Sequence, residues 1–177
     1  MTRSNIILVG FMGTGKSATG KIVARRLEYK FLDMDSMIEE RQGRTISSIF
    51  ATDGEPAFRA MECDLIKELC ELRNLVVAAG GGVVVNPENV EDFNRTGVVI
   101  CLHASPSTIL ARVKVESHRP LLEDGDKAKR ILELLESRKA LYDAIPYRVD
   151  TTYLSPEGAA DKVIELYEEA TGTILSA

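Results

Sequence analysis

The stretch Asn5-Ile6-Ile7-Leu8-Val9-Gly10-Phe11-Met12-Gly13-Thr14-Gly15-Lys16-Ser17 decides the fold. Its first half is a short apolar run that stops at a glycine, the pattern of a buried strand. Its second half matches G-x-x-x-x-G-K-[ST], and Gly15 to Tyr29 then reads as a helix with Ile22, Val23 and Leu27 on its inner side. Strand, glycine-rich turn and helix in that order form a phosphate-binding loop. Glycines let successive backbone N–H groups turn inward on phosphate oxygens, and the helix N-terminus adds the positive end of its dipole. Lys16 is placed to reach the outer phosphates of a nucleoside triphosphate and the Ser17 hydroxyl to hold Mg²⁺. By chance the pattern arises at about 4 in 100,000 starting points. Gly13, Thr14, Gly15, Lys16, Ser17 and Ala18 are therefore expected to bind ATP. The guanine-reading N-K-x-D and switch D-x-x-G motifs are absent from the chain, which disfavours a GTPase.

Working outward, further short apolar runs read as strands: Lys30 to Asp33, Leu75 to Ala79, Val98 to Leu102 and Arg148 to Asp150. Between them lie helical stretches at Ser36 to Gln42, capped by Asp35, and at Glu55 to Leu72, striped by Phe58, Met61, Leu65, Leu69 and Leu72. Others run from Pro87 to Phe93, from the Ser105-Pro106 pair, from Asp126 to about Ala144, and from the Ser155-Pro156 pair to near Thr171. Strands that are apolar nearly throughout and alternate with helices imply a parallel sheet covered on both faces, a three-layer α/β/α domain. No repeat or linker interrupts the 177 residues, so a single domain, 1–177, is expected.

Composition narrows the partners. A formal charge of −5 and a pI near 5.2 argue against nucleic acid, whose binders carry a basic excess. Cys63, Cys70 and Cys101 show no metal-ligand or disulfide spacing. The apolar runs fall short of the ~20 residues of a membrane span, and the N-terminal one is too broken for a signal peptide. A cytoplasmic protein is the expectation.

Candidates for an acceptor site follow the phosphate loop. Asp33 and Asp35 stand two apart at a strand end, where both carboxylates can face the edge at which ligands bind. One could orient metal-bound water and the other take a proton from an acceptor hydroxyl; alternatively Asp35 is only a helix cap and Asp33 a solvated charge. Arg59 and Glu62, three apart on one helix, either fix a guanidinium for a ligand or form an exposed ion pair. Arg138 falls on the apolar stripe of Ile131, Leu134, Leu135, Leu141 and Tyr142, so it snorkels or faces a cavity that holds an anion. Gly80 to Gly82 permit close ligand approach or form a plain turn. The polar segment from Glu116 to Asp126 carries Arg119 ahead of Pro120. It is a candidate mobile lid, about 114–126, that could bring Arg119 onto a transferring phosphoryl group, or a solvated loop.

Together, GFMGTGKS, DMD, the Arg59-to-Glu62 helix, the glycine triplet, Arg119-Pro120-Leu121-Leu122 and Arg138-Lys139-Ala140-Leu141-Tyr142 resemble the shikimate kinase family, in its order, from Asn5 to about Tyr167. The resemblance implies a five-stranded parallel sheet in order 2-3-1-4-5, as in the P-loop nucleoside monophosphate kinases. It implies transfer of the ATP γ-phosphoryl to the 3-hydroxyl of shikimate. It makes Asp35 the base and a binder of substrate hydroxyls, and Arg59, Gly81 and Arg138 the groups around the substrate carboxylate. Asp33 supports Mg²⁺ through water, Glu62 holds Arg59, Lys16 and Arg119 stabilise phosphoryl charge, and Arg112 lies near adenine. Two departures stand out. Ala79 replaces a hydroxyl residue common in the family, and Thr151 to Pro156 lack an arginine that some members place near adenine. A monomer is expected. Two other readings share the motifs: another small-polyol kinase such as a gluconate kinase, or a nucleotide-responsive module without catalysis.

Overall fold

The computed structural model describes residues 4–115 and 127–173. Five parallel strands, β1 (Asn5–Val9), β2 (Lys30–Asp33), β3 (Leu75–Ala78), β4 (Gly97–His103) and β5 (Tyr147–Asp150), form one sheet in the order β2-β3-β1-β4-β5. The expected sheet order and the three layers are both present. The helices are α1 (Lys16–Leu27), α2 (Met34–Gln42), α3 (Ile46–Thr52), α4 (Glu55–Cys70), α5 (Pro87–Thr96), α6 (Pro106–Val115), α7 (Lys127–Asp143) and α8 (Pro156–Thr171).

Alternation along the apolar strands explains the two cores. In β1, Ile7 and Val9 face one side with Val77, Val99 and Cys101, whereas Ile6 and Leu8 face the other with Val76, Val98, Ile100 and Leu102. The first side is covered by Met34, Ile38, Phe58, Leu65, Ile66, Phe93, Ile109 and Ile131 from α2, α4, α5, α6 and α7. The second is covered by Val23 and Ala24 of α1 and Ala160, Val163 and Tyr167 of α8. Each fully buried Val, Leu or Ile stabilises the fold by about 1.5–3 kcal/mol, so both faces must stay closed.

Register brings the working ends of the strands together. Asp33 pairs with Ala78, Leu8 with Ala78 and Ile100, and His103 with Asp150. The residues that follow these ends therefore share one edge of the sheet: the phosphate loop after β1, Asp35 after β2, the glycines after β3 and Thr151 after β5. The strand order reverses beside β1, the place where open α/β sheets bind ligands.

Several local expectations change. Asp33, not Asp35, caps α2: its carboxylate accepts from Ser36 N at 3.3 Å, and Asp35 sits in the first turn. Thr45 opens α3, a helix the sequence reading passed over. Helix α4 ends at Cys70, leaving Leu72 outside the stripe and 48% exposed. β3 stops at Ala78, and a short 3₁₀ turn at Val83–Val85 follows the glycines. The Ser105 and Ser155 caps are present, accepting from Thr108 N and Gly158 N. The segment 116–126, and with it Arg119 and the Asp126 cap, lies outside the described residues.

Candidate active site

The phosphate loop needs its glycines. Gly10, Gly13 and Gly15 have φ of 139°, 74° and 93°, conformations that side chains disfavour. A methyl group on Gly10 would also overlap the Leu102 carbonyl oxygen of β4. Thr14 closes the loop from within, donating to Phe11 O at 2.8 Å. The Lys16 ammonium donates to Gly10 O (2.9 Å) and Phe11 O (3.0 Å), which holds it over the loop where a triphosphate would lie.

Ser17 and Asp33 meet as one unit. The Ser17 hydroxyl donates to Asp33 Oδ2 at 2.6 Å while Asp33 Oδ1 caps α2. Mg²⁺ takes hard oxygen donors and keeps most of its shell for water and phosphate. This pair beside the loop fits that demand. Among the described residues no group of three or more His, Cys, Asp or Glu is arranged to hold a metal ion.

The acceptor side is built around Gly80, Gly81 and Gly82. A methyl on Gly80 would stand 2.5 Å from Glu62 Oε1 and 3.0 Å from Asp35 Oδ1. On Gly82 it would stand 2.5 Å from Arg59 Cζ. On Gly81 it would lie 3.7 Å from both Gly10 O and Met12 N and 4.0 Å from an Arg138 terminal nitrogen. The triplet thus fills the space between the carboxylates, the two arginines and the start of the phosphate loop. Arg59 and Arg138 approach it from two helices on the same face of the sheet, α4 and α7.

Arg138 is buried, 8% exposed, and donates to Gly81 O at 3.3 Å. Tyr142, one turn on, donates to the same carbonyl at 2.6 Å. Arg138 forms no ion pair among the described residues, so an anion in this pocket would complete its charge. Burial pushes the Tyr142 phenol up to about 12, above its ordinary 10.0.

Arg59 and Glu62 are not the exposed pair that was one option. The Glu62 side chain is 1% exposed and its Oε2 accepts from Arg59 at 2.5 Å. Arg59 also bonds Glu55 Oε1 through its NH2, at 2.9 Å, and its Nε, at 3.2 Å. Burial raises the Glu62 carboxyl above the ordinary carboxylate range, although Arg59 pulls the other way and Asp35 adds to the rise. Glu62 Oε1 is buried with no hydrogen-bond partner.

A cavity of about 390 Å³ lies on the other side of the loop, lined by Gly13, Gly15, Ala18, Arg112, Leu154 and Pro156 among others. Arg112 is fastened to its wall by bonds to Gly13 O (3.3 Å) and Thr151 O (2.8 Å). Sequence reasoning gave Thr151 and Tyr142 no polar role. Thr151 carries no pattern of its own, and Tyr142 counted only as a member of an apolar stripe.

A 2-3-1-4-5 parallel sheet, a phosphate loop after its first strand and a basic acceptor pocket at the same edge define a P-loop kinase acting on a small anionic molecule. The family model for shikimate kinase matches residues 12–168. The chain belongs to the shikimate kinase family. It is 44% identical over 164 residues, 93% of this chain and 95% of the relative, to the shikimate kinase of Thermodesulfovibrio yellowstonii. The structure of Acinetobacter baumannii shikimate kinase in complex with shikimate superposes with a TM-score of 0.86 at 33% identity, covering 99% of this chain and 97% of that one. A gluconokinase from Sinorhizobium meliloti shares the fold, with a TM-score of 0.58 at 16% identity, covering 95% of each chain.

Proposed function

We propose that this chain is a single-domain, monomeric, cytoplasmic enzyme that transfers the γ-phosphoryl of ATP to the 3-hydroxyl of shikimate, giving ADP and shikimate 3-phosphate for aromatic amino-acid biosynthesis. The observation that carries the reading is the convergence of Arg59 and Arg138 on a side-chain-free wall that also touches the phosphate loop. Two guanidiniums around one space suit a carboxylate, which an arginine fork binds bidentately. In the described residues no helix is long and apolar enough to cross a membrane.

Phosphoryl transfer asks the protein mainly for positioning and charge neutralisation. The backbone of Gly13 to Ser17 cradles the phosphates, Lys16 turns from its loop carbonyls to the outer phosphate oxygens, and Ala18 borders the base cavity. Arg59, Gly81 and Arg138 seat the carboxylated ring, with Glu62 locking Arg59 so that its free face is already aimed. Asp35, beside Gly80, binds the acceptor hydroxyl and takes its proton as oxygen attacks phosphorus and the bond to the ADP oxygen breaks. Mg²⁺, held at Ser17 and through water at Asp33, would neutralise charge on the phosphate oxygens when bound. Arg112 flanks the base. Arg119 is assigned to the phosphoryl group from its place in the sequence.

A coupled ADP-release assay with shikimate and gluconate in parallel tests this. Turnover confined to shikimate is expected. Turnover confined to gluconate would transfer the pocket to that substrate, and nucleotide binding without transfer to either would favour a non-catalytic module.

A further inference from the structure

Thr151 follows β5 directly and is 3% exposed, unusual for a hydroxyl residue at a strand end. Its backbone N–H donates to His103 O at 2.8 Å, which ties it to the end of β4. Its hydroxyl proton is shared between Thr14 O at 2.9 Å and His103 O at 3.1 Å, so one side chain bolts the phosphate loop to the sheet. The same oxygen accepts from Arg112 NH1 at 3.2 Å, and the Thr151 carbonyl accepts from Arg112 NH2 at 2.8 Å. Arg112 NH1 also donates to Gly13 O at 3.3 Å. In the described residues the guanidinium has no carboxylate partner and is held by carbonyl and hydroxyl oxygens alone. Its position therefore depends on these neutral contacts, and two of the three are to Thr151.

We infer that Thr151 is a positioning residue for the nucleotide: it holds Arg112 flat on the cavity wall and fixes the outer half of the phosphate loop against β4 and β5. The inference rests on the reading that the cavity beside Arg112 takes the nucleotide base. The chain bears Thr152, Tyr153 and Leu154 in this region and no arginine, so among the described lining residues the charged one is Arg112, oriented through Thr151. A hydroxyl rather than a methyl is required here, because a methyl would leave the Thr14 carbonyl and one Arg112 N–H without this partner.

Steady-state kinetics on Thr151→Val, Thr151→Ser, Arg112→Ala and the Thr151→Val/Arg112→Ala double variant, each checked for folding by circular dichroism, carry the test. Losing a hydrogen bond to a charged group should raise the ATP KM of Thr151→Val about 10-fold. The KM for shikimate should hold and kcat should move far less. Thr151→Ser restores the ATP KM. The double variant raises the ATP KM by less than the product of the two single effects, since the Thr151–Arg112 contacts are removed only once, while the Thr151 bond to the phosphate loop is still lost. A wild-type ATP KM in Thr151→Val, with Arg112→Ala impaired, overturns the role of Thr151 and leaves the base cavity standing. Equal loss in kcat and both KM values, unrescued by serine, also overturns it, because general destabilisation acts that way. An unaltered ATP KM in Arg112→Ala removes the cavity reading itself. Should Thr151→Val not fold, Thr151→Ala replaces it with the same expectations.

Discussion

Replacing Gly82 with alanine separates the pocket from the fold. The backbone accepts the change, since Gly82 has φ −98° and ψ 0°, a region open to any residue. The new methyl would stand 2.5 Å from Arg59 Cζ, and closer still to both terminal nitrogens. Carbon atoms in comfortable contact sit about 3.5–4.0 Å apart, so the guanidinium must recoil by roughly 1 Å or more. It cannot simply leave. Glu62 holds it at 2.5 Å from a site that is 1% exposed, and breaking a buried pair by stranding one partner costs about 3–5 kcal/mol. The guanidinium therefore pivots on Glu62 and its carboxylate-facing side turns away. A displacement of that size near a reacting pair costs about 10²-fold, or ~2.7 kcal/mol of barrier. The expected result in a coupled ADP-release assay is a fall of about 10²-fold in kcat/KM for shikimate, with the ATP KM close to wild type and a thermal midpoint lowered by only a few degrees. Wild-type kcat/KM for shikimate in a folded Gly82→Ala protein would refute the idea that Arg59 is aimed by this wall.

Other substitutions probe the remaining parts. Arg138→Ala should raise the shikimate KM strongly while leaving ATP binding almost unchanged; unchanged shikimate saturation would contradict its placement against the substrate. Asp35→Asn should lower kcat by about 10²-fold or more if its carboxylate takes the proton, and near-normal turnover would remove that role. A pH effect follows from Tyr142, whose folded value of about 12 stands above its ordinary 10.0. Between those values the folded state holds a proton the unfolded state has lost, so stability falls as pH rises through the interval, by about 2–3 kcal/mol in all. Denaturant unfolding across pH 9.5–12 should show a shallower decline in Tyr142→Phe than in wild type, and parallel declines would assign the loss elsewhere.

The sequence announced most of the scaffold because its strongest signals are local. An apolar strand, glycines at positive φ and Lys16-Ser17 sit next to one another, so one short stretch located the central strand and the phosphate site. Arg138 was legible because a charge on an apolar helix face demands an explanation, and the structure buries it beside Gly81. The less legible features are those settled by distant neighbours. Glu62 reads as half of a surface pair on its helix, and only packing of Gly80 against it shows the burial. Asp33 and Asp35 both suit a helix cap by residue type, and the chain turns helical directly after Asp33, whose own backbone is still extended, which makes Asp33 the cap. Helix α3 is seven residues long, and its Ile46, Ile49 and Phe50 spacing spans too few turns to declare a period. Thr151 gains its significance from Thr14, His103 and Arg112, none of them near it in sequence.

Calorimetric titration of shikimate, and separately of its carboxamide, into the ATP-analogue-saturated protein asks whether the paired guanidiniums recognise a carboxylate. Binding of the acid with loss of about 10²-fold or more for the neutral amide is the expected outcome, the difference collapsing in Arg138→Ala. Equal affinity for acid and amide in the unaltered protein would contradict it.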